Sequence, residues 1–182
     1  MADHALLIGT TGMLAGAARQ IVGESQHATL CARGAGRFSF GEPFLDEKVM
    51  RLPLDYTDET HFLDTLAIRG PVDLALTWLH PKAESLRDGI AGRVIPGGKV
   101  IEVLGSATGR PGGFADERLA AMEAAHAGKT YRQVVLGFVA EPDGTSRWLT
   151  HEEICAAVLA AYRGFETRTV AGTLEPWDKR PG

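Results

Sequence analysis

The stretch Ala5-Leu6-Leu7-Ile8-Gly9-Thr10-Thr11-Gly12-Met13-Leu14-Ala15-Gly16 decides how this chain is read. An apolar run of strand length ends in two glycines three apart, and Leu14, Ala17, Ala18 and Ile21 then recur as one face of a helix. The pattern predicts a strand, a tight turn and a helix. Such a turn lets backbone N–H groups approach a pyrophosphate, and the exposed N–H groups and dipole of the following helix favour its negative charge. Small-residue turns also join strands to helices without binding anything, so the rest of the chain has to arbitrate.

Working outward, strands and helices alternate. Residues 27–32 read as a second strand, followed at once by Arg33 and, four residues on, by Arg37, with no acid between them. At the end of a second strand in a dinucleotide fold, a basic residue accommodates a 2′-phosphate where an acid would bind the free 2′-OH, so the pair favours NADP(H) over NAD(H); the plain alternative is two solvated loop charges. Residues 34–48 lack a helical period and read as an irregular crossover. Residues 49–54 predict a third strand, and Asp55-Tyr56-Thr57-Asp58 opens a helix reaching Ile68. Asp55 there either lies beside an adenine or caps the helix. The apolar run 72–79 predicts a central parallel strand covered on both faces, ending in His80-Pro81, with a helix from Pro81 toward Arg93 and a turn at Pro96-Gly97-Gly98. A fifth strand over 99–104 exits through Gly105-Ser106-Ala107-Thr108-Gly109; an alanine-rich helix over 114–126 and a sixth strand over 130–139 follow.

Residues 140–147 read as a short polar loop. Thr150 with Glu153 then forms a capping box, flanked by Leu149 and Ile154 as a hydrophobic staple, for a helix reaching Arg163. A last strand spans 167–174, and residues 175–182 read as a loose tail or an interface arm beyond a single domain of residues 1–174. The expected fold is α/β: a doubly wound, Rossmann-like parallel sheet of about seven strands with helices on both faces.

Composition narrows the function. The 182 residues are 45% hydrophobic and 23% charged with a formal net charge of -4, so no basic stripe offers itself to nucleic acid. No apolar run approaches the roughly 20 residues of a membrane span. Two cysteines without metal-like spacing, Cys31 and Cys155, fit a reducing compartment, and the chain is expected in the cytoplasm. The six histidines are scattered and predict no metal site. Ser106 stands in Gly-Ser-Ala-Thr-Gly, which is not the G-x-S-x-G of a hydrolase elbow.

These residues together resemble the short-chain dehydrogenase/reductase superfamily. Gly9-Thr10-Thr11-Gly12-Met13-Leu14-Ala15 looks like its glycine motif, Asp55 like the acid after the third strand, and residues 98–106 like the fifth strand that leads to a catalytic serine. The chain is also similar to a shortened bacterial branch of that superfamily in which residues 131–134 and 147–153 recur. The resemblance implies a cofactor site of Gly9, Thr10, Thr11, Gly12, Met13, Leu14, Arg33, Arg37, Asp55, Tyr56 and Trp78. NADP(H) is the expected cofactor and NAD(H) the alternative. It further implies a small carbonyl or alcohol substrate and a family habit of self-association through helix faces.

One part of the pattern is missing. The family places a Tyr and, four residues later, a Lys on one helix face. The corresponding helix here, residues 114–126, has no tyrosine, and the nearby candidate Tyr131 is followed four residues on by Val135. Tyr131 would moreover start the sixth strand, at the edge away from the cofactor. His80 and Ser106 remain as groups able to handle a proton beside the hydride chemistry, each with an ordinary role as alternative, His80 at a helix start and Ser106 in a turn. An oxidoreductase is therefore expected, with a catalytically inactive NADP(H)-binding sensor as the rival.

Overall fold

The structure is a computed structural model that describes residues 2–80, 83–110 and 112–181. Its strands are β1 (Ala2–Ile8), β2 (Ser25–Cys31), β3 (Val49–Leu52), β4 (Val72–Trp78), β5 (Val94–Leu104), β6 (Thr130–Leu136), β7 (Phe138–Ala140), β8 (Ser146–Trp148) and β9 (Arg168–Ala171). Its helices are α1 (Ala15–Gly23), α2 (Pro43–Asp46), α3 (Glu59–Ala67), α4 (Glu84–Arg93), α5 (Phe114–Ala125) and α6 (His151–Arg163). Seven strands form one sheet in the order β3-β2-β1-β4-β5-β6-β9, every neighbouring pair parallel. Strand order reverses between β1 and β4, and in doubly wound sheets ligands bind at the carboxyl ends beside such a switch.

The near-continuous apolar runs follow from burial on both faces. Leu6 and Leu7 are both buried but belong to opposite cores, as the two-residue period of a strand requires. On one face Leu7, Leu30, Leu76 and Val103 pack with α1, α2 and α6; on the other Leu6, Ile8, Ala75 and Val100 pack with α3, α4 and α5. Gly16 lets α6 come close to α1, because a Cβ there would stand 3.2 Å from Cys155 Sγ. No described helix is long and apolar enough to cross a membrane.

Several boundaries differ from expectation for local reasons. The crossover after β2 is not wholly irregular: a 3-10 turn (Ala35–Arg37) and the single-turn α2 occupy it, with Pro43 at the helix start. The third helix begins at Glu59 because Asp58, not Asp55, caps it by accepting from His61 N; Asp55 instead bonds Thr57 N and Oγ1 two residues on. The helical start expected at Pro81 lies outside the described residues, and α4 runs from Glu84. Pro96, Gly97 and Gly98 do not precede β5 but loop out within it, where the pairing with β4 skips from Val94 to Lys99. The sixth strand stops at Leu136 because Gly137 passes so close to the chain after β9 that a Cβ would meet Thr173 O at 2.1 Å. The expected polar loop is a hairpin, β7 paired antiparallel with β8. β9 ends at Ala171, three residues short of expectation.

The tail is not loose. It forms a 3-10 turn (Trp177–Lys179), Lys179 O accepts from Ser146 Oγ, and Arg180 lies over both Trp148 and Trp177.

Candidate functional site

Gly9 sits immediately after β1 with φ +70°, a backbone conformation that favours glycine, and donates its N–H to Cys31 O at 3.0 Å. A Cβ on Gly9 would lie 2.4 Å from Trp78 O, so the turn is pressed against the end of β4. Gly12 is the opposite case, exposed, with nothing within 4 Å of where its Cβ would be. The start of α1 carries no side-chain cap and no acid in its first turn. Ala15 N donates to Gly12 O at 2.9 Å within the turn, and the next N–H groups, of Gly16 and Ala17, are left to an outside acceptor that an anion suits. Thr10 Oγ1 is buried without a partner among the described residues. This turn fits a dinucleotide phosphate on local geometry. Leu14 contributes differently from expectation: its side chain is fully buried in the core, leaving only backbone for a ligand.

Arg33 and Arg37 are both exposed beyond the end of β2. Neither guanidinium has a hydrogen bond or ion pair among the described residues, whereas nearby Arg51 is held by Asp46 and by the carbonyls of Phe38, Asp46 and Val49. Asp55 is close enough to feel the Arg33 charge. Its carboxyl is held below the usual range first by the Thr57 N–H and hydroxyl, and then by Arg33.

Two cavities flank the carboxyl end of β5 and share Gly105. The larger, about 300 Å³, is bounded by Met13 of the glycine turn, Ser106, Leu136, Trp148 of the hairpin, Leu149, His151 and Ile154. The smaller, about 190 Å³, is bounded by Tyr56, Trp78, His80, Arg87 and Thr108. The two catalytic candidates read from sequence are thus placed in different cavities. Ser106 opens a 3-10 turn (Ser106–Thr108) and shares its cavity with His151, while His80 shares the other with Tyr56 and Trp78. His80 O anchors that loop by accepting from Ala83 N and Arg87 Nη2.

Sequence reasoning missed His151. It is the first residue of α6, directly after the Thr150 cap whose box with Glu153 is fully formed. The cap was legible; that this helix start shares a cavity with Met13 and Ser106 was not.

On the opposite face of β5, Glu102 is 1% exposed and accepts from Arg87 Nη1 at 3.2 Å, Arg118 Nη2 at 2.9 Å and Tyr131 Oη at 2.9 Å. Burial, and next the Glu102 charge, push the Tyr131 phenol well above its ordinary value. Tyr131 is thus a buried hydrogen-bond donor to a carboxylate, near the amino end of β6 where the sequence places it. α5 carries no tyrosine, and its Phe114 and Arg118, four residues apart, line a cavity against Glu84 and Asp88 of α4. Arg118 is committed to Glu102 and Asp88. Among the described residues no group of His, Cys, Asp and Glu could hold a metal ion.

No family model matches the sequence, and a search of curated proteins finds no match. Solved structures do match over nearly the whole chain. A short-chain oxidoreductase enzyme from Clostridium thermocellum, in its apo form, aligns at a TM-score of 0.69 with 11% identity over 92% of this chain and 90% of its own. A metagenomic short-chain oxidoreductase in complex with NADP aligns at 0.65 with 16% identity over 94% and 97%. A short-chain dehydrogenase/reductase family protein aligns at 0.64 with 18% identity over 93% and 96%. The chain therefore has the fold of the short-chain dehydrogenases and reductases, a Rossmann-like doubly wound sheet.

Proposed function

We propose that this chain is an NADP(H)-dependent oxidoreductase of the short-chain dehydrogenase/reductase superfamily that acts on a small carbonyl or alcohol in the cytoplasm, the reducing compartment its free thiols Cys31 and Cys155 fit. One observation carries the reading: an uncapped helix start behind a glycine turn, at the point where strand order reverses, with two unpaired arginines at the end of the next strand. NADP(H), when bound, supplies or accepts the hydride. Backbone N–H groups from Thr10 to Met13 hold the pyrophosphate, and Arg33 with Arg37 holds the 2′-phosphate. Asp55, Tyr56 and Trp78 lie along the adenosine and ribose side. The cavity behind Met13 takes the substrate, where Ser106 donates a hydrogen bond to its oxygen and His151 delivers or removes the proton. His80, in the adjoining cavity, is the rival proton carrier.

The second reading, a cofactor-binding protein without turnover, is favoured by the commitment of Arg118 to Glu102 in a helix that has no tyrosine. Calorimetric titration with NADPH and NADH, followed by NADPH oxidation with a panel of aldehydes and ketones, separates the two. Arg33→Ala should weaken NADPH binding by about tenfold to a hundredfold, the worth of a charge-assisted contact, and leave NADH binding unchanged. His151→Ala should lower turnover by at least about a hundredfold, and His80→Ala by less. Binding of NADPH with no turnover would favour the sensor, and failure to bind either nucleotide would remove both readings.

A further inference from the structure

Most arginines of this chain are engaged with carboxylates or carbonyls: Arg19, Arg51, Arg87, Arg118, Arg147, Arg163 and Arg168 pair with acids, and Arg93 and Arg132 with backbone oxygens. Arg69 aside, the guanidiniums that meet no oxygen among the described residues gather at two places. One is Arg33 and Arg37. The other is Arg110 and Arg180, whose guanidinium carbons lie 4.4 Å and 4.9 Å from the ring centre of Trp177.

This second pair is tied to the cavity that holds Ser106 and His151 through one of its walls and through the Ser106 loop. Arg180 also lies 5.6 Å from the ring centre of Trp148, a wall of that cavity, and Arg110 follows Ser106 by four residues on the same loop. The nearest acid in sequence on the N-terminal side of Trp177 is occupied, since Glu175 Oε2 accepts from Trp177 N. A guanidinium stacked on an aromatic face keeps its in-plane N–H donors free, and their fork matches a carboxylate or phosphate. The cavity wall between is apolar, from Met13, Leu136, Leu149 and Ile154.

We infer that Arg110 and Arg180 form an oxyanion-recognition site beside the Ser106 cavity, so that the substrate is a compact carbonyl compound with an apolar body and a carboxylate or phosphate at its far end. The inference rests on the oxidoreductase reading for the carbonyl and on the unpaired arginines for the anion. The stack also gives the C-terminal tail a reason to fold back: it brings one of the two guanidiniums.

The test is calorimetric binding of three probes, 4-carboxybenzaldehyde, 4-formylphenyl phosphate and methyl 4-formylbenzoate, to the full chain with and without saturating NADPH. At least one anionic probe should bind about tenfold or more tighter than the ester, with the two anions distinguishing carboxylate from phosphate. Arg110→Gln and Arg180→Gln should each abolish most of that preference while ester affinity and melting temperature stay as they are. Equal or weaker binding of both anions, no binding of any probe, or a preference that survives both substitutions overturns the inference. Failure of NADPH itself to bind overturns the oxidoreductase reading alone, because the probe preference is still measured on the cofactor-free chain.

Discussion

Cys31 ends β2 with its carbonyl accepting the Gly9 N–H and its thiol 1% exposed in the core. Burial pushes that thiol up to about 12, with the Arg69 charge pulling the other way. An unfolded thiol titrates near 8.5, so above that pH the unfolded chain releases a proton that the folded chain retains. The stabilisation is complete below about 8.5 and is lost as pH rises toward the folded value. Urea denaturation of the wild type and Cys31→Ala over an alkaline series measures this residue alone, because every other alkaline group is common to both. The wild-type advantage should begin to shrink near pH 8.5 and then fall by about 1.4 kcal/mol for each further pH unit. A constant gap would mean that the thiol titrates as in water. Residue identity conveyed this chemistry only in part: a cysteine was evident, but its burial beneath the glycine turn came from tertiary packing.

Among the elements, α6 was the most legible. Thr150 and Glu153 stand at the spacing of a capping box, and both bonds form, Glu153 N to Thr150 Oγ1 and Thr150 N to Glu153 Oε2. Thr150→Ala should cost about 1 kcal/mol, read from a thermal or urea transition, and a loss below a few tenths would mean that Arg147, which also grips Glu153, holds the helix start unaided. The hairpin β7–β8 was not legible, because its strands are three residues each and Gly137 marks a break in the strand without specifying a reversal of the chain. Which acid of Asp55-Tyr56-Thr57-Asp58 caps the helix is not legible, since two acids three apart fit a helix start equally well until the Asx bond of Asp55 to Thr57 is known.

At the scale of the molecule, the alternation of apolar runs with helical periods contained the sheet, and the glycine turn with Arg33 contained the cofactor half of the proposed site. The proposed substrate half was hidden because its cavity joins Met13, Ser106, Trp148 and His151, which the return of α6 against α1 helps bring together. The buried Glu102 network was equally hidden, since a glutamate in a strand pattern reads as a solvent-facing position. With three donors converging on it, Glu102→Ala should destabilise the chain by about 3–5 kcal/mol in denaturant titration, by leaving Arg87 and Arg118 without their buried counter-charge. Replacing Glu102, Arg87 and Arg118 together by Leu and Met should recover much of that loss. A loss below about 1 kcal/mol for Glu102→Ala would show the cluster to be hydrated.

That network also limits what protein engineering can transplant into this scaffold. Phe114→Tyr combined with Arg118→Lys would write the superfamily's tyrosine and lysine back onto α5 at the right interval. The new ammonium would inherit the environment of Arg118, between Glu102 and Asp88, with one point charge where a fork now reaches both acids. It would face the α4 side of the sheet, away from the crevice beside Ser106. Redesign of the proposed reaction would have to start from the α6 start and the Ser106 cavity, on a template the sequence motif does not describe.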